Sequence, residues 1–209
     1  MIVKQFPRLE KDFYVDDDVV VQAQRLLGKL LVTHFDHQLT VGRIVETEAY
    51  RAPDDKACHA YNNRRTKRTE IMFREGGTAY ITLCYGIHHL FNVVTGAEGM
   101  AQAVLIRAIE PIVGTTTMLE RRGLEKMAYR VTAGPGALSK AMGITTDWHG
   151  STMTDSENPI WLSDDGVAYA QKDIISGARV GIAYAEEWKD VPWRFQVKDS
   201  PWVSRAKGG

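Results

Sequence analysis

Two glutamates, a tyrosine and a histidine stand close together in the segment IVETEAYRAPDDKACHAYNNRRTKR, from Ile44 to Arg68. Its first seven residues read as a strand, in which side chains alternate between faces. Ile44, Glu46, Glu48 and Tyr50 then share one face, and Val45, Thr47 and Ala49 share the other, which reads as core. A carboxylate in so apolar a stretch needs a partner or a task. The task would be that of a general base activating water. The partner would be Arg43 or Arg51 in a solvated salt bridge. Two carboxylates also suit a sugar hydrolase, whose acid and base flank a glycosidic bond. Glu46 and Glu48 are only two residues apart, so they fit one active and one structural acid better than a flanking pair. A sugar hydrolase also predicts tryptophans near its acids, and all five Trp lie at position 148 or later.

Arg64, Arg65, Lys67 and Arg68 follow among Asn62, Asn63, Thr66 and Thr69. Cations mixed with small hydrogen-bonding side chains are what phosphate contact requires. A solvated charged loop has the same composition. Further on, Tyr85-Gly86-Ile87-His88-His89 marks the tip of a hairpin. Bulky residues sit there where turns normally carry small polar ones. An aromatic wedge on a rigid ribbon is a device for entering a base stack. The alternative is that Tyr85 and Ile87 fold back onto the core. His88 and His89 point to opposite strand faces and lack an acidic or cysteine partner at metal-ligand spacing, so no metal is expected. A basic loop, a wedge and a buried base together fit enzymes that must take a nucleobase out of its duplex before acting on it.

These residues need elements to hold them. Asp16-Asp17-Asp18 supply a cap for a helix over 18–27, with Gly28 beyond its end. Residues 30–35 and 39–50 read as strands across a turn at Asp36-His37, and residues 51–76 as a long irregular connection. Strands at 78–84 and 89–95 form the hairpin, and another spans 101–109, where Glu110-Pro111 ends it. A helix follows near 113–122, closed by Gly123, and Gly134-Pro135-Gly136 opens a short one. That opening either lends N–H groups to a phosphate or is an ordinary cap. Short strands are expected near Ile160, Val180 and Phe195. The expectation is an α/β chain of the α+β type. It forms a single domain over residues 1–209, with a curved, mostly antiparallel sheet, surrounding helices and a protruding β-hairpin.

The 209 residues are 44% hydrophobic, enough for a core without disulfides, and Cys58 and Cys84 form no framework. The 26 basic and 26 acidic residues cancel, which argues against indiscriminate coating of nucleic acid but allows a local basic face. No secretion signal and no membrane-spanning run is apparent, so a cytoplasmic, DNA-associated protein is expected.

Read together, VETEAY (45–50), APDDKACHAYNNRRTKR (52–68), MF (72–73), GGTAY (76–80), YGIHHLFNVV (85–94), VLIRAIEP (104–111) and TAGPGALSKAMGI (132–144) resemble the alkyladenine (3-methyladenine) DNA glycosylase family. They run in family order and cover most of the chain. The resemblance implies that Glu48 is the base that deprotonates the water attacking the deoxyribose C1′, with Arg107 placing both. It implies that Tyr50 stacks on the flipped base, His59 contacts it, and Asn92 disfavours the 2-amino group of guanine. Tyr85 would replace the extruded nucleotide, with Ile87 and His88 flanking it in the groove. Arg64 and Arg68 match phosphate-contacting positions, with Arg65 and Lys67 beside them. Thr82 is the departure: the family usually has a tyrosine there, in the aromatic pocket, and a threonine removes one stacking surface. The implied substrate is double-stranded DNA with alkylated purines, 3-methyladenine and 7-methylguanine, extending to hypoxanthine or ethenoadenine. The implied chemistry is hydrolytic, without lyase activity, metal or organic cofactor, by a monomer. The competing reading is a catalytically weakened nucleic-acid-binding module of the same fold. Lys198, Arg205 and Lys207 are additional cations near DNA in either case.

Overall fold

The computed structural model describes residues 5–205; Lys207 lies outside them. Among the described residues, eight strands join one sheet. They are β1 (Leu30–Phe35), β2 (Gln38–Arg51), β3 (Ala79–Cys84), β4 (His88–Val94), β5 (Gln102–Val113), β6 (Ile160–Ser163), β7 (Ile174–Gly177) and β8 (Arg194–Val197). The order is β3-β4-β5-β2-β1-β6, with β8 pairing both β2 and β7. Every ladder is antiparallel, and the α+β expectation holds.

Three α-helices pack beside the sheet: α1 (Val19–Arg25), α2 (Thr115–Arg122) and α3 (Pro135–Met142). Asp18 is the aspartate that caps α1, its carboxylate accepting from the Val20 and Val21 amides. The α1 helix docks on β2 through Val19 and Ala23, and the Thr47 hydroxyl donates to the Ala23 carbonyl. Gly123 and Gly143 close α2 and α3 in left-handed conformations. The core joins Val45, Ala49, Phe91, Val104, Ile106, Leu138 and Phe195.

Three local expectations are corrected. Strict alternation in β2 fails at its start, because Ile44 joins the same core as Val45. The ladder explains this: Ile44 faces Ile109 and Glu46 faces Ala108, so Val45 is an extra, bulged residue. Pro111 does not end β5, which continues to Val113. The register slips there, with Gly42 opposite Pro111 and Val41 opposite Val113, and a bulge tolerates a missing N–H. No strand forms at Val180; β7 ends at Gly177, and the Val180 amide is used elsewhere.

Candidate active site

The centre of β2 is unusual for the bonds its two carboxylates make. A second bulge compensates the first: Thr47 faces Ile106, which leaves Arg107 as the extra residue on β5. Arg107 thus lies between the acids, with Nε 3.1 Å from Glu46 and Nη1 3.3 Å from Glu48. The expected partners Arg43 and Arg51 pair instead with Asp165 and Asp54.

The two acids are equally buried but differently used. Glu46 accepts from Arg107, Gln196 Nε2, the Ser204 amide at 2.8 Å and the Ser204 hydroxyl at 2.9 Å. Three of those donors come from β8 and the segment after it, so Glu46 ties the C-terminal third to the sheet. Glu48 accepts from the Val180 amide at 2.7 Å, from the Tyr50 hydroxyl at 2.8 Å and from Arg107. A carboxylate offers about four lone-pair sites. Three are filled at Glu48, and its three donors all line a cavity of about 550 Å³. Burial, then the neighbouring Glu48 charge, raises the Tyr50 phenol well above its usual range, so it stays a donor.

That cavity gathers most of the predicted site. Tyr50, His59, Thr82, Tyr85, His88, Asn92 and Arg107 all line it, together with Tyr80, Leu105 and Tyr184. Glu48 lies beneath, with no exposed surface. Tyr80 faces Asn92, and Thr82 faces Leu90, across the β3–β4 ladder, so the hairpin stem is a wall of the cavity. The Asn92 side-chain amide donates to the Tyr80 and Leu90 carbonyls, which fixes its orientation. His59 bonds the Tyr80 hydroxyl through Nδ1 at 2.8 Å and Arg68 through Nε2 at 2.9 Å. Although His59 is exposed where the cavity opens, the protein around the ring, and then Arg68, lower its pKa to about 4. It is neutral at pH 7.

The hairpin tip is the opposite of the floor. Tyr85 and Gly86 both have positive φ, 51° and 73°, and the Ile87 amide closes the turn on the Cys84 carbonyl. Two successive left-handed residues make a tight turn whose right-handed twist matches the strands, and Ile87 is the third loop residue before His88 pairs with Cys84. Tyr85 is 91% exposed and Ile87 72% exposed. They do not fold back onto the core. His88 stands beside Gly136 at the start of α3, and His89 accepts the Thr146 amide through Nδ1. Among the described residues no group of three or more His, Cys, Asp or Glu side chains is arranged to hold a metal ion.

The basic loop divides. Arg64 and Lys67 are exposed. Arg65 is anchored, paired with Glu70 and stacked 4.0 Å from the Phe73 ring centre. Arg68 reaches back to the cavity through His59.

Sequence reasoning missed Arg179, Asp55, Val180 and the role of Tyr80. Arg179 is wholly buried, donates to both Asp55 oxygens at 2.6 and 2.8 Å, and reaches the Ala49 carbonyl at 2.8 Å. Its guanidinium also covers the Tyr50 ring at 4.7 Å. It therefore fixes both neighbours of Glu48: Tyr50 by contact and Val180 by chain adjacency. Arg179 is an isolated basic residue in a mixed stretch, and Asp55 lies in a run of charges, so neither carried a signal.

The fold and the cavity define a class that comparison with known proteins makes specific. Residues 12–201 match the family described as methylpurine-DNA glycosylase. A protein of Chlamydia pneumoniae is 47% identical over 193 residues, covering 90% of this chain and 93% of its own length. One from Natranaerobius thermophilus is 44% identical over 200 residues, covering 94% and 98%. A third, from Bacillus cytotoxicus, is 44% identical over 199 residues, covering 92% and 97%. All three are provisionally named as 3-methyladenine DNA glycosylases. The chain belongs to the methylpurine-DNA glycosylase family. It is a DNA glycosylase, a hydrolase acting on N-glycosyl bonds in DNA repair. No helix among the described residues is long and apolar enough to cross a membrane.

Proposed function

We propose that this enzyme extrudes alkylated purines, foremost 3-methyladenine and 7-methylguanine, from double-stranded DNA. It then hydrolyses the bond to deoxyribose and leaves an abasic site. The observation that carries this reading is one carboxylate, Glu48, held by three donors directly beneath an aromatic cavity whose rim bears an exposed tyrosine. Glu48 takes the proton of a water as that water attacks C1′, and the bonding electrons leave with the purine. Its fourth lone-pair site, on Oε1 beside the Val180 contact, is the place for that water. Alkylation at N3 or N7 makes the purine cationic and a good leaving group, and the Tyr50 face favours such a ring. Tyr85 fills the gap in the stack, Ile87 and His88 border the groove, and Arg64, Lys67 and Arg68 lie toward the phosphates. Among the described residues no lysine lines the cavity, which supports hydrolysis by water over Schiff-base chemistry and a glycosylase without lyase activity. The enzyme acts as a monomer without a cofactor.

Incubation with methylated duplex DNA, followed by chromatography of the free bases, tests the assignment. The unaltered enzyme releases 3-methyladenine. Glu48→Gln lowers the rate by about 10²–10⁴-fold, the usual worth of a general base, while still binding lesion DNA. Near-normal release by that variant overturns Glu48 as the base.

A further inference from the structure

We propose that Arg68, His59 and Tyr80 form a directed hydrogen-bond chain that turns the Tyr80 hydroxyl into a donor for the departing base. This goes beyond the glycosylase reading and rests on it. The direction follows from what each group can do. A guanidinium only donates, so His59 Nε2, 2.9 Å from Arg68, must accept. A neutral imidazole carries one N–H, which is then on Nδ1. Nδ1 lies 2.8 Å from the Tyr80 oxygen and donates to it. The Tyr80 oxygen is thereby occupied as an acceptor, and its own proton must go elsewhere. Among the described residues no acceptor for that proton is seen, and Tyr80 lines the cavity.

The two rings are also tuned to keep this arrangement. His59 remains neutral, and burial raises Tyr80 to about 12, so the phenol keeps its proton. The positive end of the chain at Arg68 polarises both bonds toward the cavity.

The chemistry served is the departure of an uncharged purine. A cationic alkylpurine leaves as a neutral molecule and needs no help. A neutral purine such as hypoxanthine leaves with the C1′–N9 electron pair as an anion. A hydrogen bond from Tyr80 to a ring nitrogen or the carbonyl oxygen stabilises that anion. The proton stays on Tyr80, and the freed anion takes its proton from solvent. Arg68 and His59 are positioning residues in this scheme; Tyr80 touches the leaving group.

Single-turnover release of 7-methylguanine and of hypoxanthine from matched duplexes separates the possibilities. Tyr80→Phe keeps the ring and loses only the donor. It is expected to slow hypoxanthine release roughly 10- to 100-fold more than it slows 7-methylguanine release, as loss of a hydrogen bond to a charged acceptor does. Equal effects on both substrates, no effect on either, or no hypoxanthine release by the unaltered enzyme would each overturn the inference. Release of 7-methylguanine by the unaltered enzyme tests the underlying glycosylase reading separately. Long-range ¹H–¹⁵N correlation of the histidine rings gives a second readout. His59 is expected as the Nδ1–H tautomer, shifting toward Nε2–H in Arg68→Leu. An Nε2–H tautomer in the unaltered protein overturns the chain.

Discussion

The floor of the cavity and the tip of the hairpin are built on opposite plans. At the floor, Glu46, Glu48, Arg107, Asp55 and Arg179 are buried and bonded to one another or to the backbone around them. At the tip, Tyr85 and Ile87 stand in solvent with their shape set only by the turn beneath them. The floor must hold a carboxylate within tenths of an ångström of a reacting atom, which cross-linking by charged hydrogen bonds achieves. The tip must enter another molecule, and its apolar surface gains only when that molecule covers it. Stability should therefore be concentrated at the floor and binding at the tip.

The largest expected effect tests the floor. Asp55→Ala strands the Arg179 charge inside the protein, which should cost about 3–5 kcal/mol of unfolding free energy. Urea unfolding followed by tryptophan fluorescence measures it. A loss within the range of an ordinary surface substitution would show that the floor is not where stability resides. Next in size is the tip. Tyr85→Ala should leave the unfolding midpoint unchanged yet weaken lesion-duplex binding by about 1–3 kcal/mol, the worth of one base stack. It should also remove the fluorescence rise of 2-aminopurine placed beside the lesion. A destabilised fold with normal binding would reverse the comparison. The smallest effect is electrostatic. Arg64→Ala should reduce the salt dependence of DNA binding by about 0.9 in log–log slope, one phosphate's worth. The same variant should not change the rate of base release at saturating protein, and a changed rate would move Arg64 from the backbone contacts into the site.

The fold was largely legible because its signals are local. The Asp18 cap, the helix-closing glycines and the two hairpins depend on neighbouring residues, and their boundaries fall within a few positions of expectation. The paired bulges around Glu46 were not legible, since an extra residue on one strand shows only against its partner. For the same reason Ile44 was placed on the wrong face. The candidate site divided in the same way. Glu48, Tyr50 and His59 are close in the chain and were found together. Val180 reaches Glu48 from 132 positions away, and Arg179 reaches the neighbouring Ala49 from 130. The pairing of β8 with β2 carries the C-terminal third there, and no spacing rule anticipates it.

The β3–β4 ladder also works as a gauge. Thr82 and Asn92 face the cavity at one end, and Tyr85 crowns the other, with only Leu83 and Cys84 between the wall and the tip. A strand rises about 3.3 Å per residue, so the wedge and the Thr82 position on the cavity wall are held roughly 10 Å apart along one stiff ribbon. The enzyme cannot probe the duplex with one and test the base with the other at leisure; seating either one seats both. Adding or removing a single residue in that stem would change the length by one step. It would also turn the wall residues to the opposite side of the sheet, so the ribbon admits correction only in steps of two.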